Sequence, residues 1–128
     1  MKQEKFIKVL DNEGYSYEIV GDNIVVTGKG DIWLESLTSL PPGVEFKNGG
    51  GVFLESLTSL PPGVVFNNVR DVWLDSLTSL PPGVVFNNLG DVALNSLVGG
   101  WFENWKGNIE GIDSKRLLNL MIKQGVFI

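Results

Sequence analysis

The chain has 128 residues, 43% of them hydrophobic, with no cysteine and no histidine. Such a composition supports one globular domain with a core. It excludes disulfides, thiolate zinc sites, Ser-His-Asp and Cys-His catalysis, and any imidazole acid or base.

The net charge of −5 is carried by residues 31–100, which hold seven acids against Lys47 and Arg70; the remainder holds eight acids and eight bases. A direct nucleic-acid binder needs a basic footprint. This balance points instead to a basic protein partner or a cation.

Residues 1–30 read as an N-terminal cap. The segment 2–11 predicts a short helix with Phe6, Ile7, Val9 and Leu10 apolar, and DNEG at 11–14 stops it. DNEG has calcium-like letters but lacks the other loop ligands. The opening MKQEKFIKVLDNEG carries charges throughout and no secretory apolar core. No apolar run approaches a membrane span, so a cytoplasmic protein without membrane contact is expected. YSYEIVGDNIVVTG predicts a hairpin turning at Gly21-Asp22-Asn23, its second strand leading into the first coil. TGKG at 27–30 lacks the upstream glycine of a phosphate loop and the Ser or Thr after its lysine. It reads as a turn.

Residues 31–100 repeat with a period of twenty: DIWLESLTSLPPGVEFKNGG, GVFLESLTSLPPGVVFNNVR, DVWLDSLTSLPPGVVFNNLG and the half unit DVALNSLVGG. A fixed period of this size signals a solenoid. In the third unit Val72/Leu74 and Val84/Phe86 alternate with strand spacing, whereas Leu77/Leu80 has period three and predicts a bend. Pro-Pro-Gly at 41–43, 61–63 and 81–83 blocks a helix and marks one corner. The Asn-containing pairs at 47–48, 67–68 and 87–88 mark another.

One three-sided coil per unit results, with equivalent residues about 4.8 Å apart in the next coil. The predicted inner columns are Ile32/Val52/Val72/Val92, Leu34/Leu54/Leu74/Leu94, Leu37/Leu57/Leu77/Leu97, Leu40/Leu60/Leu80, Val44/Val64/Val84 and Phe46/Phe66/Phe86. Asn48/Asn68/Asn88 would stack along the axis and satisfy corner amides.

Residues 101–128 read as a C-terminal cap. DSKRLLNLMIKQG predicts a helix, with Asp113 or Ser114 at its start and Gly125 at its stop. Trp101, Phe102 and Trp105 would cover the last coil. The fold expected is therefore mainly β: a short three-sided β-solenoid of about 3.5 coils, with a helix-hairpin cap at one end and a helical cap at the other.

SLTSLPPGVVFNN followed by DVWL, and the tail WFENWKGNIEGIDSKRLLNLMIKQGVFI, resemble a family of repeat proteins often found in bacteriophage genomes. Its members carry tandem LTSLPxGVxFNNGGxVxL units, described as leucine-rich-repeat-like, and often end in a similar GNIEGIDSKRLLN helix. The resemblance covers roughly residues 15–128. It implies a solenoid and a phage origin, hence the cytoplasm of an infected bacterial host, but no activity. In true leucine-rich repeats an Asn follows the strand; here V-x-L runs directly into S-L-T-S-L, which favours a compact stack over a horseshoe.

Alternation along D-V-W-L-E turns three columns outward: Asp31/Gly51/Asp71/Asp91, Trp33/Phe53/Trp73/Ala93 and Glu35/Glu55/Asp75/Asn95. Stacked exposed aromatics flanked by acids suit a docking face, since interfaces favour aromatic anchors with a polar rim. The partner-binding residues expected are Asp31, Trp33, Glu35, Phe53, Glu55, Asp71, Trp73 and Asp75. The plainer alternative is that the rings stabilise the strands and the acids confer solubility. A second outward row contains Val65 and Val85, candidates for self-association into a homodimer.

No catalytic residue, metal or cofactor is expected. Carboxylates such as Glu35 and Glu55 on adjacent coils would lie about 5 Å apart, within the range of glycosidase pairs. A convex face provides no water-excluding cleft for them. The function expected is non-catalytic binding, and possible inhibition, of a host protein with a basic, nucleic-acid-handling or defence surface. The alternatives are a carbohydrate-binding or carbohydrate-cleaving solenoid and a self-assembling structural protein.

Overall fold

The computed structural model describes residues 2–81 and 83–94, together with the backbone of the two-residue strand 109–110. Helix α1 (Gln3–Glu13) leads into a hairpin of β1 (Tyr17–Val20) and β2 (Asn23–Val26). Each repeat then contributes two short strands. These are β3 (Ile32–Trp33) and β4 (Val44–Phe46), β5 (Val52–Phe53) and β6 (Val65–Phe66), β7 (Val72–Trp73) and β8 (Val84–Phe86). Strands β9 (Val92–Ala93) and β10 (Ile109–Glu110) complete the series.

The strands form two sheets, one on each of two sides of a β-solenoid of about three turns. The first sheet runs β1-β2-β4-β6-β8-β10 and the second β3-β5-β7-β9. Among the described strands only β1–β2 is antiparallel. Coil-to-coil pairing within the repeats is parallel with a twenty-residue offset, as in Ile32↔Val52↔Val72↔Val92. Register is fixed because a one-residue slip would turn every inner side chain outward.

The third side, residues 37–40, 57–60 and 77–80, carries no strand. There Leu37, Leu57 and Leu77 donate their N–H to Leu34, Leu54 and Leu74 of the same coil at 3.1–3.2 Å. This turn is the bend that the period-three leucines predict. Pro-Pro-Gly makes the next corner, with Gly43, Gly63 and Gly83 at φ +76° to +82°, a conformation that suits glycine because it has no Cβ.

The predicted inner columns are buried throughout the three full coils. In the fourth, Leu94 is buried and Val92 half-buried. Phe46, Phe66 and Phe86 stack with centroids 5.4 and 5.2 Å apart and planes within 6°. Such pairs add roughly 0.5–1.5 kcal/mol beyond their buried area.

Asn48, Asn68 and Asn88 are also buried, and their side-chain amides donate to carbonyls of the corner backbone. Nδ2 of Asn68 donates to the carbonyls of Gly50, Arg70 and Asp71 at 3.0–3.1 Å. Asn48 and Asn88 repeat the pattern one coil below and above. One amide thereby ties its own corner to the preceding one.

The N-terminal cap closes the first coil. Phe6 and Leu10 of α1 are buried against the core, and Ile7 and Val9 pack beside them. The helix runs two residues beyond the expected end. It stops at Gly14, φ +78°, where Gly14 and Tyr15 donate to the carbonyls of Asp11 and Leu10, a Schellman arrangement.

Tyr17 donates its hydroxyl to Asp11 Oδ1 at 3.0 Å. That bond, desolvation and the carboxylate charge raise its pKa above the ordinary tyrosine range. Strand β2 does more than lead into the coils. It pairs with β4, Ile24↔Val44, and so acts as a coil before the first. The predicted C-terminal helix, Trp101, Phe102, Trp105, Leu97 and Asn95 lie outside the described residues. No helix among the described residues is long and apolar enough to cross a membrane.

Candidate functional site

The second sheet presents the aromatic column. Trp33 pairs with Phe53, and Phe53 with Trp73, in strict parallel register. The rings do not form a uniform stack. Trp33 and Phe53 lie face to face, centroids 3.9 Å apart and planes 14° from parallel, whereas Phe53 meets Trp73 edge-on at 5.0 Å and 82°.

Exposure corrects the expectation of three projecting aromatics. Trp33 is 45% and Trp73 38% exposed, but Phe53 only 9%. The cause lies two residues upstream. The second unit begins with Gly51 instead of an aspartate, and a Cβ at Gly51 would come within 2.7 Å of Cζ of the Phe53 ring. Phe53 therefore lies down over Gly51, in space an aspartate would take. It supports the two tryptophans from between them and contributes little surface itself.

The acids divide likewise. Asp31 and Glu35 are exposed, and Glu55, Asp71 and Asp75 half-buried. Asp31 and Asp71 each bond to the backbone of the next coil. Asp31 Oδ1 accepts from Gly51 N–H at 2.7 Å, and Asp71 Oδ1 from Asp91 N–H at 2.8 Å. Each aspartate thus closes the corner onto the next coil with a charge-assisted bond, worth roughly 1.5–3 kcal/mol where it is buried and less here.

This role dictates a second residue. A Cβ at Gly50 would lie 2.3 Å from Asp31 Oδ1, and one at Gly90 2.2 Å from Asp71 Oδ1. Where Gly51 replaces the aspartate, the residue one coil on is Arg70, which has a Cβ and a long side chain. Asp pairs with Gly and Gly with Arg at this corner, a rule that the sequence contains and that sequence analysis missed.

Two further surface residues were missed. Val69 and Leu89 follow the ladder asparagines at the corner leading into the tryptophan sheet; both are exposed, Leu89 by 82%. They occupy the column of Gly49, whose Cβ would meet the Lys29 carbonyl at 2.7 Å. An apolar residue after a corner Asn, where the first unit has glycine, was the available signal.

Val65 and Val85, expected outward for self-association, do face out but are half-buried in the first sheet's row Val25–Glu45–Val65–Val85. They present less apolar surface than expected. Glu45 in that row accepts from Asn67 Nδ2 at 3.3 Å. Among the described residues no group of three or more acids is placed to hold a metal ion. No family model, curated protein or solved structure matches the chain.

Proposed function

We propose that this chain is a non-catalytic protein-binding module whose tryptophan sheet docks on a host protein with a basic surface. The observation that supports this most is the pair Trp33 and Trp73. Both indoles are more than a third exposed, both are braced by the buried Phe53 ring, and each lies between acids two residues away on either side. Large apolar rings at a surface mark contact sites. Pre-braced rings lose little entropy on binding, and flanking carboxylates attract cationic side chains and steer a basic partner.

The resemblance to phage repeat proteins adds the setting: a phage-encoded protein in the cytoplasm of an infected host. There an acidic face would occupy, and could inhibit, a surface that otherwise handles nucleic acid.

Affinity capture from bacterial lysate tests this reading when run with a Trp33→Ala/Trp73→Ala control at two salt concentrations. The partner should be basic, and its retention should fall steeply with salt. The control should lose it, since aromatic anchors contribute roughly 2 kcal/mol or more each. Capture that is insensitive to salt and to the control overturns the reading. Salt-insensitive binding to a glycan array that needs the same two tryptophans favours the carbohydrate-binding alternative.

A further inference from the structure

Each sheet has an edge at the N-terminal end of the solenoid, and the two are treated differently. At the edge of the tryptophan sheet, the Tyr15 hydroxyl accepts from Trp33 N–H at 2.9 Å and donates to the Trp33 carbonyl at 3.2 Å. One side chain therefore occupies the backbone groups that another strand would use. At the first corner, Gln3 Nε2 donates to the carbonyls of Asp22 and Pro42 at 2.6 and 3.0 Å.

Strand β1, the edge of the first sheet, has no such cover among the described residues. Its only strand partner among the described residues is β2. Thr27 N–H donates to the Ser16 carbonyl at 2.9 Å, and the register continues Tyr17↔Val26, Glu18↔Val25, Ile19↔Ile24, Val20↔Asn23. Bonded pairs alternate in an antiparallel ladder, so Glu18 and Val20 bond inward to β2. Tyr17 and Ile19 turn their N–H and C=O groups away from it, and neither has a backbone partner there among the described residues. The edge also carries exposed apolar side chains, with Ile19 56% and Val20 54% accessible.

We infer that β1 is a strand-addition site for an extended segment of a partner protein that carries Lys or Arg opposite Glu18. The open N–H and C=O groups of Tyr17 and Ile19 provide main-chain bonding, as in other cases of β-augmentation. The side chains set the chemistry. In an antiparallel partner, the residue facing Ile19 lies on its side of the sheet and is apolar. The residue facing Glu18 lies on the other side and is basic.

A second copy fits less well. The self-pairing register that bonds Tyr17 to Ile19 in both directions sets Glu18 against Glu18, and like charges directly opposite are destabilising. The net charge of −5 adds to the repulsion. This edge lies on the first sheet, so the inference does not depend on the tryptophan face.

Two capped synthetic peptides test it, Thr-Val-Val-Lys-Val-Thr and the same sequence with Glu for Lys, titrated into the full chain and followed by NMR. The Lys peptide should slow hydrogen exchange at the Tyr17 and Ile19 amides and bind at least about threefold more tightly than the Glu peptide. Glu18→Lys should reverse that order, Ile19→Lys should weaken both peptides, and Trp33→Ala/Trp73→Ala should change neither. Absence of binding, equal affinity for the two peptides, binding that leaves the two amides unprotected, or a dimer by sedimentation without peptide would overturn the assignment.

Discussion

The corner rule makes a quantitative prediction about the irregular second coil. Gly51→Asp restores the residue found in the other units, yet it should destabilise the protein. The new side chain must displace the Phe53 ring, which a Cβ at Gly51 already meets at 2.7 Å. If Phe53 becomes as exposed as Trp33 and Trp73, it loses about a third of its burial, roughly 0.5–1 kcal/mol. The stack on Trp33 adds roughly 0.5–1.5 kcal/mol. The Arg70 Cβ would then crowd the new carboxylate, as a Cβ at Gly90 would crowd Asp71 at 2.2 Å, a misfit of roughly 1–3 kcal/mol. The total is about 2–5.5 kcal/mol.

Arg70→Gly alone should cost less than about 1 kcal/mol, as an added glycine does. In the Gly51→Asp background it should instead stabilise. It removes the crowding and allows the new carboxylate to accept from Asp71 N–H, the bond Asp31 makes to Gly51. Urea denaturation of the four proteins, followed by circular dichroism, gives the coupling energy, expected to exceed about 1 kcal/mol with the pair compensating. Additivity within about 0.5 kcal/mol would refute the proposed steric rule.

Two further predictions concern single hydrogen-bond donors. Asn68→Asp replaces the donor shared by the carbonyls of Gly50, Arg70 and Asp71 with acceptor oxygen, so it should cost several kcal/mol at neutral pH, on the order of 3–5, by desolvation and unmade bonds. The buried carboxyl it introduces would have its folded-state pKa raised above an unfolded value of about 3.9, so the variant should be most stable below that pH and lose stability as pH rises through the folded pKa; a flat pH profile in denaturation experiments argues against the buried ladder. For Tyr17, whose folded-state pKa is raised by the bond to Asp11, the associated stability is present below about pH 10 and is lost as pH rises through the raised value. Ultraviolet titration should show Tyr17 ionising above the ordinary tyrosine range, and Asp11→Asn should bring it back toward that range.

The inner columns were legible because alternation and the twenty-residue period act on every coil alike. Leu54 and Leu74, or Phe66 and Phe86, need only equivalent neighbours above and below. The helix stop within DNEG, though not its exact residue, and the bend at Leu37 were legible because each depends on a few consecutive residues. Phe53 was not, because its burial depends on Gly51, on the Trp33 ring below and on the Trp73 ring above. Alternation assigns a side chain to a face; it cannot state how far the chain lies down on that face. The Tyr15 hydroxyl on Trp33 was equally hidden, since nothing in YSYEIV distinguishes a residue that seals a strand edge from one that packs on a core.

The contrast between the inside and outside of the coils bears on function. Stacking demands sameness inside: a smaller or larger residue in place of Phe66 would leave both Phe46 and Phe86 without a parallel neighbour at 5.2–5.4 Å, and a cavity or strain would follow. The outer columns are not held to sameness in this way: the units read Trp, Phe, Trp, Ala at one position and Gly, Val, Leu at another, with steric pairing confined to the Asp–Gly corner and the Phe53 ring. If the exterior only kept the protein in solution, polar residues would serve at each of these places, and exposed Trp33, Trp73 and Leu89 would be liabilities. Under the proposed function, the exposed ones among these outer residues are those that meet the partner. Substituting Val69 or Leu89, exposed and outside the ring contacts and the Asp–Gly corner, should leave the denaturation midpoint nearly unmoved, whereas substituting the repeated interior should lower it.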